Sequence, residues 1–450
     1  MFVKFYKAYS PSNFHMKTTI KFIDLFAGIG GIRLGFEQAC SELGIKSKCV
    51  FTSEIKEHAI KVLTQNHPKE KVYGDITKID AKDIPDFDFL LAGFPCQAFS
   101  MAGTRKGFAD TRGTLFFDVA RILKEKQPFG FVLENVEGLV NHDKKNNSDP
   151  IGNTLKVILD TLEELGYKFD WRVLNSKDFG VPQERKRIYI VGTKTKQPML
   201  DDFTKSEKKL GDILEKGLPT EKSKFIDLLL SHYKVSELSG KAIKDKRGGE
   251  DNIHSWDIET KGPVTAEEKE FLNLLLKERR KKKWAEEYGI DWMDGMSLDI
   301  DKIRTFYDKP NLEEMLEDLS EKGYLKREYP KRRVRKADGV YVRIQDETLP
   351  LGYNIVTGKM SFEINEILSP DSIAPTLVAM DMQHLYVVDG NGLRKLSLRE
   401  GLRLFGYPDS FSFNVTTEEG FDLLGNTVVV PVIKQVSERV LTIFQTTVKK

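Results

Sequence analysis

Between residues 19 and 196, short apolar runs alternate with helical patterns, and that alternation leaves few architectures open to the chain. The run "IKFIDLFAG" precedes a helical pattern over residues 30–43, and "SKCVFTSEI" precedes one over Glu57–Asn66. "FDFLLAGF" is followed by "GTLFFDVARILKEK", and "GFVLENV" by "NTLKVILDTLEELG". "YKFDWRVLN" and "KRIYIVGT" close the series. Strands that are apolar on both faces need cover on both, and crossover helices supply it. The expectation is an α/β fold, a doubly wound and mostly parallel sheet whose chemistry gathers beyond the strand ends.

The glycines of "FIDLFAGIGGIRLGFEQA" fall where such a sheet holds its ligands. Gly28, Gly30 and Gly31 follow the first strand and open a helix, which permits a tight turn and a close ligand approach to backbone N–H groups. Glu54 ends the next strand, the place from which a carboxylate bonds ribose hydroxyls. Asp75 in "VYGDIT" can reach an adenine amino group from the third strand end. Glycines alone would also fit an empty bend. With two carboxylates at successive strand ends, a nucleoside cofactor is the better reading, although "FAGIGG" departs from the usual dinucleotide spacing.

The fourth apolar run leads into "GFPCQAFSMAG". A lone cysteine such as Cys96 is often no more than a small buried hydrophobe. Here Pro95 precedes it, Gln97 and Ser100 follow, and "MAGTRKGFADTRG" has the glycine and basic content of a loop that closes over phosphates. "LENV" adds Glu134 and Asn135 at another strand end, and "GVPQERKRIYIVG" adds Arg185 and Arg187. A thiol, a carboxyl and paired guanidiniums suit nucleophilic attack on an electron-poor ring, with the acid on a ring nitrogen and arginine on a carbonyl oxygen. His58, His67, His142 and His254 lie in polar contexts and are expected to be solvated surface residues.

Composition narrows the setting. The 450 residues are 40% hydrophobic and 31% charged, with a net charge of +2. No apolar stretch approaches the roughly 20 residues of a membrane span, and "MFVKFYKAYSPSNFHMKTTI" lacks the apolar centre of a signal peptide. Cys40, Cys49 and Cys96 form neither a metal-ligand pattern nor a disulfide framework, so a cytoplasmic protein without a metal is expected.

Six motifs, in order, carry a resemblance to a known family: "DLFAGIGG", "GFPCQAFS", "LENV", "QERKR", "REGLRLFGYPDSF" and "GNTVVVPV". Over about residues 20–196 and 386–435 the chain resembles the bacterial DNA (cytosine-5)-methyltransferases of restriction–modification systems. The resemblance implies a Rossmann-like fold, S-adenosylmethionine as cofactor with S-adenosylhomocysteine as product, and a cytosine flipped out of double-stranded DNA. It implies that Cys96 attacks carbon 6, that Glu134 bonds or protonates ring nitrogen 3, and that Arg185 and Arg187 hold the flipped base and its backbone. Phe26, Gly28, Gly31, Glu54, Ile55, Asp75, Ile76, Pro95, Leu115 and Asn426 would line the cofactor pocket. Residues 97–114 resemble the mobile active-site loop, with Gln97, Ser100, Arg105, Lys106 and Arg112 available to DNA, as would be Asn135 of "LENV". Ile55 is a departure, standing where relatives often carry tryptophan; an aliphatic side chain still covers one adenine face. A monomer is expected, and a cognate restriction endonuclease is left open.

The expected organisation is an N-terminal extension (1–18), a catalytic domain (19–196), a recognition domain (197–385) and a returning C-terminal segment (386–450) that reads as helix, loop and closing helix. Thr376 and Leu377 resemble the threonine–leucine pair of the family's recognition domain. Residues 197–345 are rich in lysine and glutamate with helical patterning, and about residues 254–345 read as a helical insertion unlike the family. Its end, "LEDLSEKGYL" followed by a basic turn between two β-like runs, resembles a winged-helix unit; the alternative is a solvated helical insertion. Residues 326–343 hold eight Lys or Arg against two acids. That concentration predicts a wing along a phosphate backbone, through Arg332 and Arg333, with the preceding helix near a groove. Two other functions remain at this point. A transfer-RNA methyltransferase of the same superfamily is disfavoured by the long middle region, and a catalytically inactive DNA-binding relative by the intact Cys96, Glu134 and Arg185.

Overall fold

The structure is a computed structural model and describes residues 19–95, 115–144, 146, 148–246, 248–249, 251–335, 341–357, 362–379 and 381–448. One sheet is formed by β1 (Thr19–Leu25), β2 (Lys46–Ser53), β3 (Val72–Tyr73), β4 (Phe89–Ala92), β5 (Gly130–Val136), β6 (Lys168–Asn175) and β7 (Lys186–Thr193). Its order is β3-β2-β1-β4-β5-β7-β6. Neighbours are parallel except β7, which runs antiparallel to both β5 and β6. The expected doubly wound sheet is therefore present. Strand order reverses between β1 and β4, so the crevice beyond their carboxyl ends is the favoured ligand position. The glycine turn leaves β1 there, and Gly93–Pro95 leaves β4 there.

Helices α1 (Gly31–Glu42), α2 (Glu57–Asn66), α3 (Leu115–Lys126) and α4 (Asn153–Glu164) match the periodic segments, with the predicted 30–43 pattern ending on the caps Gly30 and Leu43. All four residues of β4 are buried, as a central strand requires. On one side, Phe36 of α1 packs on Phe22 and Phe89, and Phe444 packs on Phe89 and Phe129. Phe444 belongs to the C-terminal helix Val430–Val448. That helix approaches α1 so closely that a Cβ at Gly35 would lie 2.6 Å from the Ile433 side chain and 2.8 Å from the Val430 carbonyl oxygen. The predicted loop between the last two helices holds a further helix, Thr417–Gly425, started by a reciprocal Thr416–Glu419 cap. The "TTEE" signature of that cap was there to be used.

Asp24 is a local violation of the pattern. Its side chain is wholly buried in β1, and among the described residues neither carboxylate oxygen has a hydrogen-bond partner. Burial, partly opposed by Arg33, pushes its pKa up to about 8. The folded chain thus holds a proton that the unfolded chain releases near pH 4, so stability falls as pH rises from about 4 to about 8. Asp24→Asn removes that dependence and is expected to raise Tm, by several degrees more at pH 8 than at pH 5. Scanning calorimetry at the two pH values checks it; an equal or opposite shift overturns it.

Tertiary contacts separate two compact units: residues 19–214, 371–382 and 397–448, which contain the sheet above, and residues 215–370 and 383–396. The second unit has a five-stranded sheet in the order Gly392–Lys395, Leu385–Asp389, Glu366–Leu368, Ala242–Ile243, Asn252–Ile253. Its other core gathers Trp256, Phe271, Trp284, Leu298, Leu316 and Tyr324. Around that core run helix Ala266–Glu278, helix Lys282–Tyr288, a bridge from Leu298 to Tyr353, and helices Ile300–Arg304 and Leu312–Glu321. Strands Leu325–Glu328 and Lys331–Arg335 then go out, and Tyr341–Gln345 and Gly352–Ile355 come back antiparallel. The segment thus joins a helical core to two antiparallel strand pairs. His254 corrects the expectation of a solvated residue: it is 4% exposed, stacked on the buried Trp256 with ring centroids 4.6 Å apart. Its Nδ1 lies 2.6 Å from the Lys244 carbonyl oxygen, which satisfies the ring nitrogen that burial removes from water. Among the described residues, no helix is long and apolar enough to cross a membrane.

Candidate active site

The turn after β1 is built on three left-handed residues, Phe26 (φ 54°), Gly28 (55°) and Gly30 (83°). It is tied to the end of β2. Ala27 N–H donates to the Ser53 carbonyl (3.1 Å), and Gly28 N–H donates to Glu54 Oε2 (2.7 Å). Glu54 Oε1 accepts from the N–H groups of Ile55 (2.8 Å) and Lys56 (2.9 Å). Glu54 therefore joins two predicted elements of the site, and a carboxylate with about four acceptor positions keeps capacity beyond these three bonds. Ile55 beside it is 71% exposed, an aliphatic surface open to a ring. Asp75 accepts from the N–H and hydroxyl of Thr77, which hold its carboxyl below the usual range and hence ionised. Phe26, Ile76 and Phe94 share one apolar cluster. Gly31 has no room for a Cβ, which would meet Tyr407 Oη at 2.5 Å, Val428 at 2.8 Å and Thr427 at 3.2 Å. Asn426, next to these, is exposed and caps helix Thr417–Gly425, its Nδ2 donating to the Asp422 carbonyl (2.8 Å). Pro95 is exposed and Leu115 half-buried. An open glycine turn, two acceptor carboxylates and an exposed aliphatic face fit a nucleoside cofactor.

Glu134 lies near the end of β5, only 9% exposed. Burial pushes its pKa up, against the opposing pull of Arg187 and Arg185. Arg187 Nε sits 3.4 Å from Glu134 Oε1. The end of β4 is next to it: a Cβ at Gly93 would lie 3.7 Å from Glu134 Oε2. Asn135 Nδ2 donates to the Phe94 carbonyl (2.8 Å), pinning the backbone two residues before Cys96. A cleft of about 490 Å³ lies alongside, lined by Val136, Gly138, Lys186, Arg187, Pro375 and Thr376 among others. Thr376 Oγ1 donates to the Glu184 carbonyl (2.6 Å), which holds this segment at the cleft.

The two arginines of "QERKR" separate in role. Arg187 is beside the acid and the cleft. Arg185 is 3% exposed and donates to the carbonyls of Leu377 (2.8 Å), Gly425 (3.1 Å) and Thr427 (2.9 Å). Desolvation lowers its pKa to about 10, so it stays charged at neutral pH. Gln183 of the same motif, passed over in the sequence reading, is fully buried; it donates to the Leu404 carbonyl (3.0 Å) and accepts from Leu377 N–H (3.3 Å). Tyr189, also passed over, is buried near Glu134, and no local pattern marks it. Cys96, Gln97, Ser100, Arg105, Lys106 and Arg112 lie outside the described residues, as do residues 1–18. Cys40 and Cys49 are buried free thiols pushed up to about 12 and about 11 by desolvation. Arg332 and Arg333 sit on the basic hairpin of the second unit.

A doubly wound sheet with a glycine turn at its switch point, and a buried acid beside an arginine at a neighbouring strand end, defines a Rossmann-like methyltransferase fold. S. pombe Dnmt2 methyltransferase shares that fold, with a TM-score of 0.51 over 94% of this chain and 99% of that one, at 17% identity. The model of the C-5 cytosine-specific DNA methylase family matches residues 20–442. The chain belongs to that family and is a C-5 cytosine-specific DNA methyltransferase. It is 64% identical to the Type II methyltransferase M.NlaIV of Neisseria lactamica, and 62% to M.NgoBV of Neisseria gonorrhoeae. Each alignment covers 94% of this chain and 99% of the relative. The Type II methyltransferase M.BanI of Aneurinibacillus aneurinilyticus is 42% identical over 93% of this chain and 95% of its own length.

Proposed function

We propose that this protein is the modification enzyme of a restriction–modification system, methylating carbon 5 of a cytosine within a specific sequence of double-stranded DNA. Its likeness to Type II methyltransferases over nearly the whole chain supports the biological setting. The chemistry rests chiefly on one observation: the buried Glu134, its pKa pushed up by desolvation, beside Arg187 and next to the strand end that leads into Cys96.

The target cytosine leaves the stack, which costs a few kcal/mol, because its ring cannot be reached inside the duplex. The Cys96 thiolate adds to carbon 6 while Glu134 bonds or protonates nitrogen 3, and electron density moves to carbon 5. S-adenosylmethionine, when bound, supplies an electrophilic methyl group to that carbon. The carbon-5 proton then leaves to a base, the carbon–sulfur bond breaks, and the thiolate is regenerated. Arg187 holds the base oxygen and keeps Glu134 in place. Arg185 is a positioning residue, since its bonds run to backbone carbonyls. Asn135 likewise positions Phe94 and, through it, the backbone leading to Cys96. Glu54 and Asp75 take the cofactor's ribose and adenine, Ile55 covers a ring face, and Phe26, Gly28, Gly31, Ile76, Pro95, Leu115 and Asn426 complete the pocket.

Incubation with methyl-labelled S-adenosylmethionine tests the proposal. Label is expected in duplex DNA and absent from transfer RNA, and bisulfite sequencing of host DNA then reads the recognition site. Label in transfer RNA alone overturns the substrate, and label in neither overturns the enzyme.

A further inference from the structure

The hairpin after helix Leu312–Glu321 sorts its side chains by the two-residue period of a strand. Lys331 pairs with Gln345, Arg333 with Arg343 and Arg335 with Tyr341, so these six residues share one face. Arg332, Val334, Val342 and Ile344 share the other, where Arg332 Nε lies 3.5 Å from Asp346 Oδ2. The two neighbouring arginines of the sequence thus point to opposite sides. On the first face, Lys331 is paired with Glu328. Among the described residues, no carboxylate pairs with Arg333, Arg335 or Arg343.

Two like charges directly opposite destabilise a hairpin, and Arg333 and Arg343 stand in that position. Arg333 lies 4.0 Å from the ring centroid of Tyr341, which is 52% exposed. Trp292, 44% exposed, borders a cleft of about 360 Å³ with Tyr341, Arg333 and Arg343; among the described residues Asp291 is the one acid that lines it. Exposed guanidiniums over exposed rings suit phosphate and sugar contact, for which ordinary solubility offers no reason. The helix before the hairpin has the opposite character. It buries Leu312, Met315, Leu316 and Leu319 and presents Glu313, Glu314, Glu317 and Glu321 to solvent. An acidic face is repelled from a groove walled by phosphates, so the expected groove position does not suit it.

We propose that the Arg333–Arg335–Arg343 face of the hairpin, with Tyr341 and Trp292, is a second contact surface for duplex DNA, engaged wing-first while the acidic helix stays off the phosphates. The proposal rests on double-stranded DNA being the substrate. It adds a sequence-independent hold outside the catalytic unit, one that offsets part of the cost of extruding a base.

The test replaces Arg333, Arg335 and Arg343 together by alanine in the full chain and titrates a fluorescent duplex across a salt series. Each phosphate contact contributes about 0.9 to the slope of log K against log salt, so a decrease of about 2–3 and a loss of about tenfold or more at 0.1 M salt are expected. Arg332→Ala should bind as wild type, and the triple Arg→Lys variant should recover most of the slope. An alanine triple that binds normally with an unchanged slope overturns the proposal. So does an Arg332→Ala loss equal to that of the triple, or a loss confined to single-stranded RNA. Loss of self-association in place of DNA affinity overturns it in favour of a second copy of the chain. Melting curves establish that the triple is folded. A wild type that never methylates duplex DNA sinks the parent reading instead, whereas methylation by wild type with normal binding by the triple sinks only this one.

Discussion

Cys96→Ala is expected to lower methyl transfer by about 10⁴-fold or more while leaving duplex affinity within about threefold, as removal of a covalent nucleophile does elsewhere. The chain has three cysteines. Two of them, Cys40 and Cys49, are buried, and desolvation pushes their thiols up to about 12 and about 11. Neither supplies thiolate at neutral pH, and neither meets a base. Cys96 is the residue after the exposed Pro95 in the chain, and the end of β4 that leads toward it is beside Glu134, where a Cβ at Gly93 would lie 3.7 Å from Oε2. A thiol with an ordinary pKa of about 8.5 is a few per cent ionised at pH 7, and nearby cations raise that fraction. A duplex carrying 5-fluorocytosine should trap wild type in a denaturant-stable complex, because fluorine cannot leave as a proton. The Cys96→Ala chain should form none. Turnover by that variant, or peptide mapping of the adduct to Cys40 or Cys49, removes Cys96 from the mechanism.

Glu134→Gln is expected to cost about 10²–10⁴ in kcat, the range for loss of a positioned general acid. Glutamine keeps the shape of the side chain and removes its proton-donating carboxyl. Burial holds the Glu134 pKa above its ordinary value, so its ionisation on the way to alkaline pH opposes the folded state. The variant lacks that burden, and its Tm should hold or rise at pH 8. Lost turnover with retained Tm identifies chemistry, not folding, as the cause. A Glu134→Gln enzyme within threefold of wild type overturns the role.

Much of the fold was legible because it is local. The apolar run of β4 is continuous, as a strand covered on both sides requires, and α2 falls on the residues its period marks. Helix Thr417–Gly425 was missed although its cap carries a signature, because the glycine at its end reads equally as a loop. His254 was misplaced for another reason: its polar neighbours in sequence are not its neighbours in space, where Trp256 stacks on it.

The class of protein is written in the sequence alone. Strand and helix periods, left-handed glycines after the first strand, and acids at strand ends are properties of a few adjacent residues, set by backbone sterics and side-chain alternation. Tertiary packing chose which of two similar residues does what. Arg185 and Arg187 look equivalent in "QERKR", yet Arg185 is committed to carbonyls 192, 240 and 242 residues away, while Arg187 is left beside Glu134. Arg332 and Arg333 are adjacent in the chain, yet strand register sends one to Asp346 and the other over Tyr341. Hydrogen bonds and ion pairs act over a few ångströms, so their partners are chosen only after the chain has brought distant segments within that range.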